Sequence, residues 1–328
     1  MKIAVNGFGR IGRLVTRIAF QRGLDVVAVN DVHGAEDAAY LLKYDSTYGL
    51  FGKKVRDKGN ELIVGGKKVR VLQERDPLKL PWKELGVDVV VEATGVFTKN
   101  REGEKHLKAG AKYVLVTAPA EKVDATIVCG VNDDKLEKKH KLISIASCTT
   151  NCLAPMLKIL NEDFGIEKGF MTTVHAYTSS QGLVDESARN PERGRAGALN
   201  IIPTTTGAMT AVFCVLPEMK GKLEGMALRV PVPVGSITDL TVELKKKVSV
   251  KSVNDLFRKA SKRKMKGIVE YNDKHLVSSD IVGNPHSCIF NPEETKVNGN
   301  MVKVLAWYDN EWGYSNRVVD VVEMLEKV

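Results

Sequence analysis

Lys2-Ile3-Ala4-Val5-Asn6 reads as a strand, and it runs straight into Gly7-Phe8-Gly9-Arg10-Ile11-Gly12, a G-x-G-x-x-G. Arg13 to Phe20 follow with helical spacing, Gly23 stops that helix, and Leu24 to Asn30 form a second strand with Asp31 at its end. Alone, the glycine pattern means little. Between a strand and a helix, with an acid about 20 residues further on, it marks a dinucleotide-binding unit. Gly7 permits the tight turn, Gly9 lets a pyrophosphate approach the backbone, and Gly12 lets the helix pack on the strand. The pyrophosphate then sits at the helix N-terminus. Asp31 accepts hydrogen bonds from an adenosine ribose and repels a 2′-phosphate, which favours NAD over NADP.

The same alternation continues. Val87 to Ala93 is a continuous apolar run of the kind buried in parallel sheets, ending in Thr94-Gly95. A helix over about 101–109 leads to Lys112-Tyr113-Val114-Leu115-Val116, ended by Thr117. Ala125 to Cys129 and Leu142 to Ile145 are the next strand candidates, and Gly65-Gly66 centres a hairpin in the insert before them. Such alternation predicts a Rossmann-type, doubly wound parallel sheet, with ligands outside the carboxyl ends of its strands. Asp31, Thr94, Gly95, Thr117 and Cys148 all end strands, which puts Cys148 on the rim expected to hold the dinucleotide.

Cys148 sits in Ala146-Ser147-Cys148-Thr149-Thr150-Asn151-Cys152, between the strand Leu142 to Ile145 and a helix from Leu153 to Phe164. A helix N-terminus favours thiolate over thiol, the reactive form. A lone cysteine is more often a small buried apolar residue, but Ser147, Thr149 and Thr150 make this pocket polar. Pro155 predicts a kink or a late regular start to the helix.

The pattern then changes. Phe170 to His175 reads as a strand, a long irregular stretch runs from Ser179 to Asn200, and a helix opens at Ile201 to Ala208. Met226 to Val232, Leu240 to Leu244 and Val302 to Asp309 are further strands, of which the second alternates like a half-exposed antiparallel strand. Ser252, with Asp255 three residues on, reads as the start of one helix, and Ser315 as the cap of the last. The expected architecture is therefore α/β plus α+β. A nucleotide domain is followed by a catalytic domain on a mixed, largely antiparallel sheet. The division is 1–147 with 315–328, and 148–314.

This half offers His175 as a general base for Cys148, with Thr178, Thr206 and Arg229 as anion ligands. The plainer readings are a satisfied core histidine and a surface arginine lying over apolar neighbours. Together, a cysteine nucleophile, a histidine, a nicotinamide fold and anion ligands point at aldehyde oxidation through a thioester.

At 328 residues, two domains are expected. With 43% hydrophobic and 27% charged residues the chain is globular, and no apolar run approaches the ~20 residues of a membrane span. Five scattered cysteines suggest neither a disulfide framework nor a metal site, so a reducing cytoplasm is expected. The net charge of +9 raises a nucleic-acid partner, but the lysines are dispersed over what read as solvated faces.

Ala146 to Pro155 resembles the signature of the phosphorylating glyceraldehyde-3-phosphate dehydrogenases. The resemblance extends over essentially the whole chain. It includes Asn6 to Arg13, Leu42 to Ser46, Glu74 to Pro77, Thr172 to His175, Pro203 to Gly207 and Trp307 to Arg317. It implies reversible, NAD-linked oxidation of glyceraldehyde 3-phosphate, with Cys148 forming a thiohemiacetal and then a thioester. His175 would take the proton, and inorganic phosphate would release the acyl phosphate. By position, Thr178 and Arg229 would hold the substrate phosphate, and Ser147, Thr149, Thr206 and Gly207 the attacking phosphate. Arg10, Ile11, Asp31, Arg75, Thr117 and Asn316 match the cofactor contacts. A homotetramer is implied, with the Ser179–Asn200 loop at subunit interfaces.

The departures lie mostly in that loop. Glu186-Ser187 replaces the Leu-Pro usual in NAD-specific members, and Ser at the second position accompanies NADP use, so NAD with some NADP is expected. Val32-His33-Gly34 is also unusual, as are Asn190-Pro191 and Gly194. The nearest rival, erythrose 4-phosphate dehydrogenase, departs where this chain keeps Ala176-Tyr177-Thr178 and Thr204-Thr205-Thr206-Gly207. A non-catalytic RNA-binding or interaction protein is the rival of another class, against which intact Cys148 and His175 argue. A bond between Cys148 and Cys152 under oxidation is a further expectation, subject to demanding geometry.

Overall fold

Short runs rich in β-branched residues build the first sheet, and four of its strands end on Asn6, Asn30, Glu92 and Ser144. The computed structural model describes residues 1–328. The chain forms two compact units. One comprises Met1–Ile127, Asp133–Ala146 and Ser315–Val328, and the other Val128–Asn132 and Ser147–Tyr314. No helix is long and apolar enough to cross a membrane.

In the first unit, β1 (Lys2–Asn6), α1 (Arg10–Gln21), β2 (Asp25–Asn30) and α2 (Ala35–Lys43) lead to an antiparallel meander of β3 (Val55–Lys58), β4 (Glu61–Val64) and β5 (Lys67–Leu72). The β4–β5 turn is the expected hairpin at Gly65-Gly66. Then come α3 (Trp82–Leu85), β6 (Val89–Glu92), α4 (Glu104–Lys108), β7 (Tyr113–Val116), β8 (Ala125–Thr126) and β9 (Leu142–Ser144). The strand order is β3-β4-β5-β2-β1-β6-β7-β9-β8, parallel from β5 onwards. The chain winds outward from β1 on one side and returns to β6 on the other. The switch point lies between β1 and β6, beside the glycine-rich turn.

In the second unit, α5 (Cys148–Phe164) leads to β10 (Ile166–Ala176), β11 (Ile202–Thr204), α6 (Ala208–Val215), β12 (Leu223–Val230), β13 (Ser236–Leu244) and α7 (Val250–Lys262). β14 (Val269–Tyr271), β15 (Cys288–Asn298) and β16 (Met301–Tyr308) complete this unit, and α8 (Trp312–Leu325) belongs from Ser315 onwards to the first. The order β11-β12-β10-β13-β16-β15-β14 is mixed, with only β10–β12 and β14–β15 parallel. Along β13 and β16 every second residue is buried, and helix α5 brings Cys152, Leu153, Met156 and Leu157 to the same core.

Several boundaries differ from expectation. The strand expected over 125–129 stops at Thr126, because the Asn132 side chain accepts from the Val128 N–H at 2.9 Å and turns the chain there. The helix expected over 101–109 starts at Glu104, because Asn100 and Arg101 take left-handed φ values of 46° and 60°. Helix α5 starts at Cys148 and continues through Pro155, with Ser147 as its cap. Helix α7 starts at Val250, where Ser249 and Ser252 form a reciprocal capping pair, and Asp255 bonds Lys251 instead. Ser315 is buried inside α8. Asp309 takes the N-terminal role, accepting from Glu311 N at 2.9 Å and Trp312 N at 2.7 Å.

Candidate functional site

The candidate site residues fall into two groups, one in each unit. In the first, Gly7 has φ +90°, and a Cβ there would lie 2.6 Å from the Thr94 nitrogen, so only glycine fits the turn. A Cβ on Gly12 would lie 2.0 Å from the Gly7 carbonyl oxygen, which holds α1 against that turn. Gly9 caps α1 without any side-chain hydrogen bond, and nothing stands within 4 Å of its would-be Cβ. That open, uncapped helix start suits a pyrophosphate. The Arg10 side chain is turned away to Asp45 at 2.6 Å, so Arg10 and Ile11 face this turn through their backbone. Burial raises Asp45, yet the Tyr48 and Thr47 amides and Arg10 hold it below its ordinary value.

Asp31 accepts from Phe8 N at 2.7 Å and from His33 N at 3.1 Å, which ties the acid to the glycine turn. Thr94 N bonds the Glu92 carboxylate at 2.9 Å, Gly95 has φ +72°, and Thr117 Oγ1 donates to the Glu92 carbonyl at 3.1 Å. Asn316 Oδ1 accepts from Arg22 Nη2 at 2.6 Å, and Arg75 is exposed. These residues fit a dinucleotide, with a nested turn, an anion-ready helix start and an acid for a ribose.

In the second unit, Cys148 is the first residue of α5 and His175 the penultimate residue of β10. Their Sγ and Nε2 atoms stand 3.4 Å apart. His175 Nδ1 stands 2.7 Å from the Ala176 carbonyl and 3.0 Å from Arg229 Nη1; the carbonyl can only accept, so Nδ1 donates to it at the shorter distance and Nε2 faces the sulfur as an acceptor. Arg229 is level with His175 across the parallel β10–β12 pair, and its Nη1 donates to the same carbonyl at 3.0 Å. The Arg229 Nε is buried without a partner.

Burial pushes the Cys148 thiol up to about 11, against the pull of Arg229 and the Thr149 donors. In the free chain, desolvation of the sulfur thus works against the thiolate that a helix N-terminus favours. Burial also drives His175 down to about 3, with the Arg229 and Arg193 charges acting in the same direction. The pair rests as thiol and neutral imidazole, so attack by sulfur must hand its proton to Nε2.

Ser147 Oγ accepts from Thr150 N at 3.0 Å, so it serves as the helix cap. Thr149 Oγ1 bonds the Tyr308 hydroxyl at 2.9 Å, and Tyr308 also reaches Thr173 Oγ1 at 2.7 Å. Tyr308 stands edge-on to His175 with ring centroids 6.0 Å apart. Thr178 Oγ1 meets Ser180 Oγ at 2.8 Å, Thr206 Oγ1 accepts from Ala208 N at 3.2 Å, and Gly207 caps α6. Gly207 lines a cleft of about 470 Å³ with Ser180, Arg189, Asn190, Arg193 and Thr205.

Sequence reasoning missed Arg193 and Tyr308. Arg193 donates to Thr204 Oγ1 at 2.9 Å and to the Thr205 carbonyl at 2.8 Å, and its charge acts on Arg229. Arg193 carries no periodic signal inside an irregular loop, whereas Tyr308 lies within the Trp307 to Arg317 motif, where nothing local gives it a role. The unusual Gly194 has a local reason. The Glu186 N–H donates to its carbonyl at 2.8 Å, and a Cβ there would stand 2.2 Å from the Glu186 oxygen. Cys152 is fully buried and directs its thiol to the Ala306 carbonyl at 3.9 Å and to Cys288. None of the five cysteines is in a disulfide.

Two family models match. Residues 1–100 match the NAD binding domain of glyceraldehyde 3-phosphate dehydrogenase, and residues 147–310 match its C-terminal domain. A glyceraldehyde-3-phosphate dehydrogenase of Borreliella burgdorferi is 54% identical over 335 residues, covering 100% of both chains. One from Streptomyces coelicolor is 53% identical over 98% of this chain and 97% of its own. Glyceraldehyde-3-phosphate dehydrogenase 2 of Bacillus subtilis is 52% identical over 98% of this chain and 96% of its own.

Proposed function

The chain belongs to the glyceraldehyde 3-phosphate dehydrogenase family, and on that premise we propose that Cys148 and His175 carry its NAD-dependent, phosphorylating oxidation of glyceraldehyde 3-phosphate. The observation that carries the assignment is the 3.4 Å approach of Sγ to an Nε2 whose tautomer is set by the Ala176 carbonyl. Sγ attacks the aldehyde carbon as its proton passes to Nε2, which hands it on to the carbonyl oxygen, giving a thiohemiacetal and a neutral imidazole. The cofactor held by the first unit's turns would supply the hydride acceptor for oxidation of the hemiacetal carbon. His175 withdraws the hydroxyl proton as the carbonyl re-forms, so the product is a thioester on Cys148. Inorganic phosphate attacks that thioester, and the leaving sulfur regains a proton from His175.

Both phosphates are dianionic, and the groups on this side suit them. Arg229 and Arg193 are cations that donate to carbonyls and to a threonine hydroxyl rather than to carboxylates. Ser147, Thr149, Thr178, Thr206 and Gly207 add hydroxyl or N–H donors. Arg229 with Thr178 is assigned to the substrate phosphate. Arg193, lining the cleft with Gly207, is assigned with the remaining donors to the attacking phosphate. The first unit is assigned to NAD, with Asp31 at the ribose and Gly7, Gly9, Gly12, Arg10 and Ile11 around the pyrophosphate. Arg75, Thr94, Gly95, Thr117 and Asn316 complete that set, and Ser187 leaves room for NADP.

Self-association into a tetramer is supported by apolar side chains that the single chain leaves uncovered. Phe170, Met226 and Met301 share the outer face of the second sheet, and Leu183, Val184 and Leu199 project from the long loop. Five cysteines outside any disulfide suit a reducing cytoplasm. The deciding assay follows phosphate-dependent reduction of NAD and NADP with glyceraldehyde 3-phosphate against erythrose 4-phosphate. Phosphate-independent turnover, or a preference for the four-carbon sugar, overturns the reading.

A further inference from the structure

Glu92 is 1% exposed, and no step of the reaction uses it. It closes β6 level with Asn6 at the end of β1, and Asn6 is level with Asn30 at the end of β2. The three side chains bond in a row. Asn6 Nδ2 donates to Glu92 Oε2 at 2.5 Å, and Asn30 Nδ2 donates to Asn6 Oδ1 at 2.6 Å. Asn30 then clasps the backbone of Glu74, accepting from its N–H at 2.9 Å and donating to its carbonyl at 2.8 Å. Glu92 Oε1 accepts from Thr94 N at 2.9 Å and from the Thr94 hydroxyl, while its carbonyl accepts from Thr117 N at 3.0 Å.

Behind this row, Trp82 Nε1 donates to His106 Nδ1 at 3.0 Å, and the two side chains are fully buried. Indole N–H is only a donor, so Nδ1 accepts and Nε2 carries the proton that bonds Glu92 Oε2 at 2.9 Å. Asn6, Asn30, Glu92, His106 and Trp82 are all buried, and the row adjoins the assigned cofactor site at each step. Asn6 precedes Gly7, Asn30 precedes Asp31, Glu74 precedes Arg75, and Glu92 bonds Thr94 and Thr117 directly.

We propose that Glu92, backed by His106 and Trp82, is a positioning residue that holds the separate turns of the cofactor site in one arrangement. The proposal rests on the assignment of those turns to NAD. A buried carboxylate that gathers donors from several turns fixes their spacing, because leaving any of them unpaired away from water is costly. Replacing it with an amide of the same shape turns one acceptor into a donor facing donors, and the turns must spread.

Calorimetric titration of the intact protein with NAD, alongside steady-state kinetics, tests this. Glu92→Gln should weaken NAD binding at least tenfold with one site per folded chain retained, and leave kcat at saturating NAD within threefold. His106→Gln, which keeps an N–H donor, should weaken it less, and Trp82→Phe least. A merely structural role would lower Tm and the number of sites while leaving Kd of the folded molecules unchanged, and that result overturns the proposal. If Glu92→Gln does not fold, the other two variants decide by the same criterion, a Kd within twofold of the parent in both overturning it. Asp31→Ala separates the two layers. An unchanged Kd there refutes the assignment of the turns, whereas a weakened Kd beside an unchanged Glu92→Gln refutes the positioning role.

Discussion

His106 and His175 are both buried at the ends of sheet strands or beside them, and both have ordered partners, yet only one is free to react. His106 has both ring nitrogens committed to the protein, Nδ1 to the Trp82 indole and Nε2 to the Glu92 carboxylate. His175 commits only Nδ1, to a backbone carbonyl, and offers Nε2 to a sulfur that itself must move its proton. Their surroundings differ in charge as well. A carboxylate faces His106, whereas arginines surround His175 and help burial keep it unprotonated. Burial therefore says little about whether a histidine is structural. What its second nitrogen faces says much more.

The largest effect should come from the partner that makes His175 reactive. Cys148→Ser should cut aldehyde oxidation by more than ~10⁴-fold, with NAD affinity within a few-fold of the parent, as measured by stopped-flow and NAD titration. Substantial residual oxidation would refute the thioester route. Next, His175→Asn should lower kcat by about 10²–10⁴-fold, the usual size of a general-base contribution, whereas His106→Gln should leave kcat at saturating NAD within a few-fold. Equal losses in the two variants would erase the contrast.

Titration sharpens the comparison further. In Cys148→Ser the His175 ring should stay neutral on acidification until near pH 3, as read from its imidazole NMR signals, and an ordinary midpoint near 6.5 would contradict the buried, arginine-flanked setting. Because the folded value of about 3 lies below the unfolded 6.5, the unfolded chain binds this proton first. Stability should thus fall as pH drops through that window, by about 1.4 kcal/mol for each unit of the gap traversed, and His175→Asn should remove that part of the loss. The smallest effect on catalysis belongs to Trp82→Phe. It leaves His106 Nδ1 buried and unpaired, which should cost about 1–3 kcal/mol of stability in denaturant titrations while kcat stays at the parent value.

Much of this is legible in the sequence. The glycine turn, the apolar strand runs and their alternation with helices follow from local backbone sterics and from periodicity, so the doubly wound sheet can be read directly. The Cys148 and His175 pairing is readable as residue types at element ends. Helix starts are less so. Ser249 rather than Ser252 caps α7, and Asp309 rather than Ser315 starts α8, because several polar residues near an end compete and only the folded backbone selects one.

By itself, the sequence determined the fold class, the dinucleotide turn and the kinds of chemistry available, since these depend on residues close together along the chain. The tertiary structure alone decided the burial around Cys148, what His175 Nε2 faces, the groups to which Arg193 donates and the joining of Glu92 to His106. Those depend on desolvation and on hydrogen bonds between residues far apart in sequence. Two histidines look alike in a sequence, and the groups that differentiate them arrive only when the chain has folded.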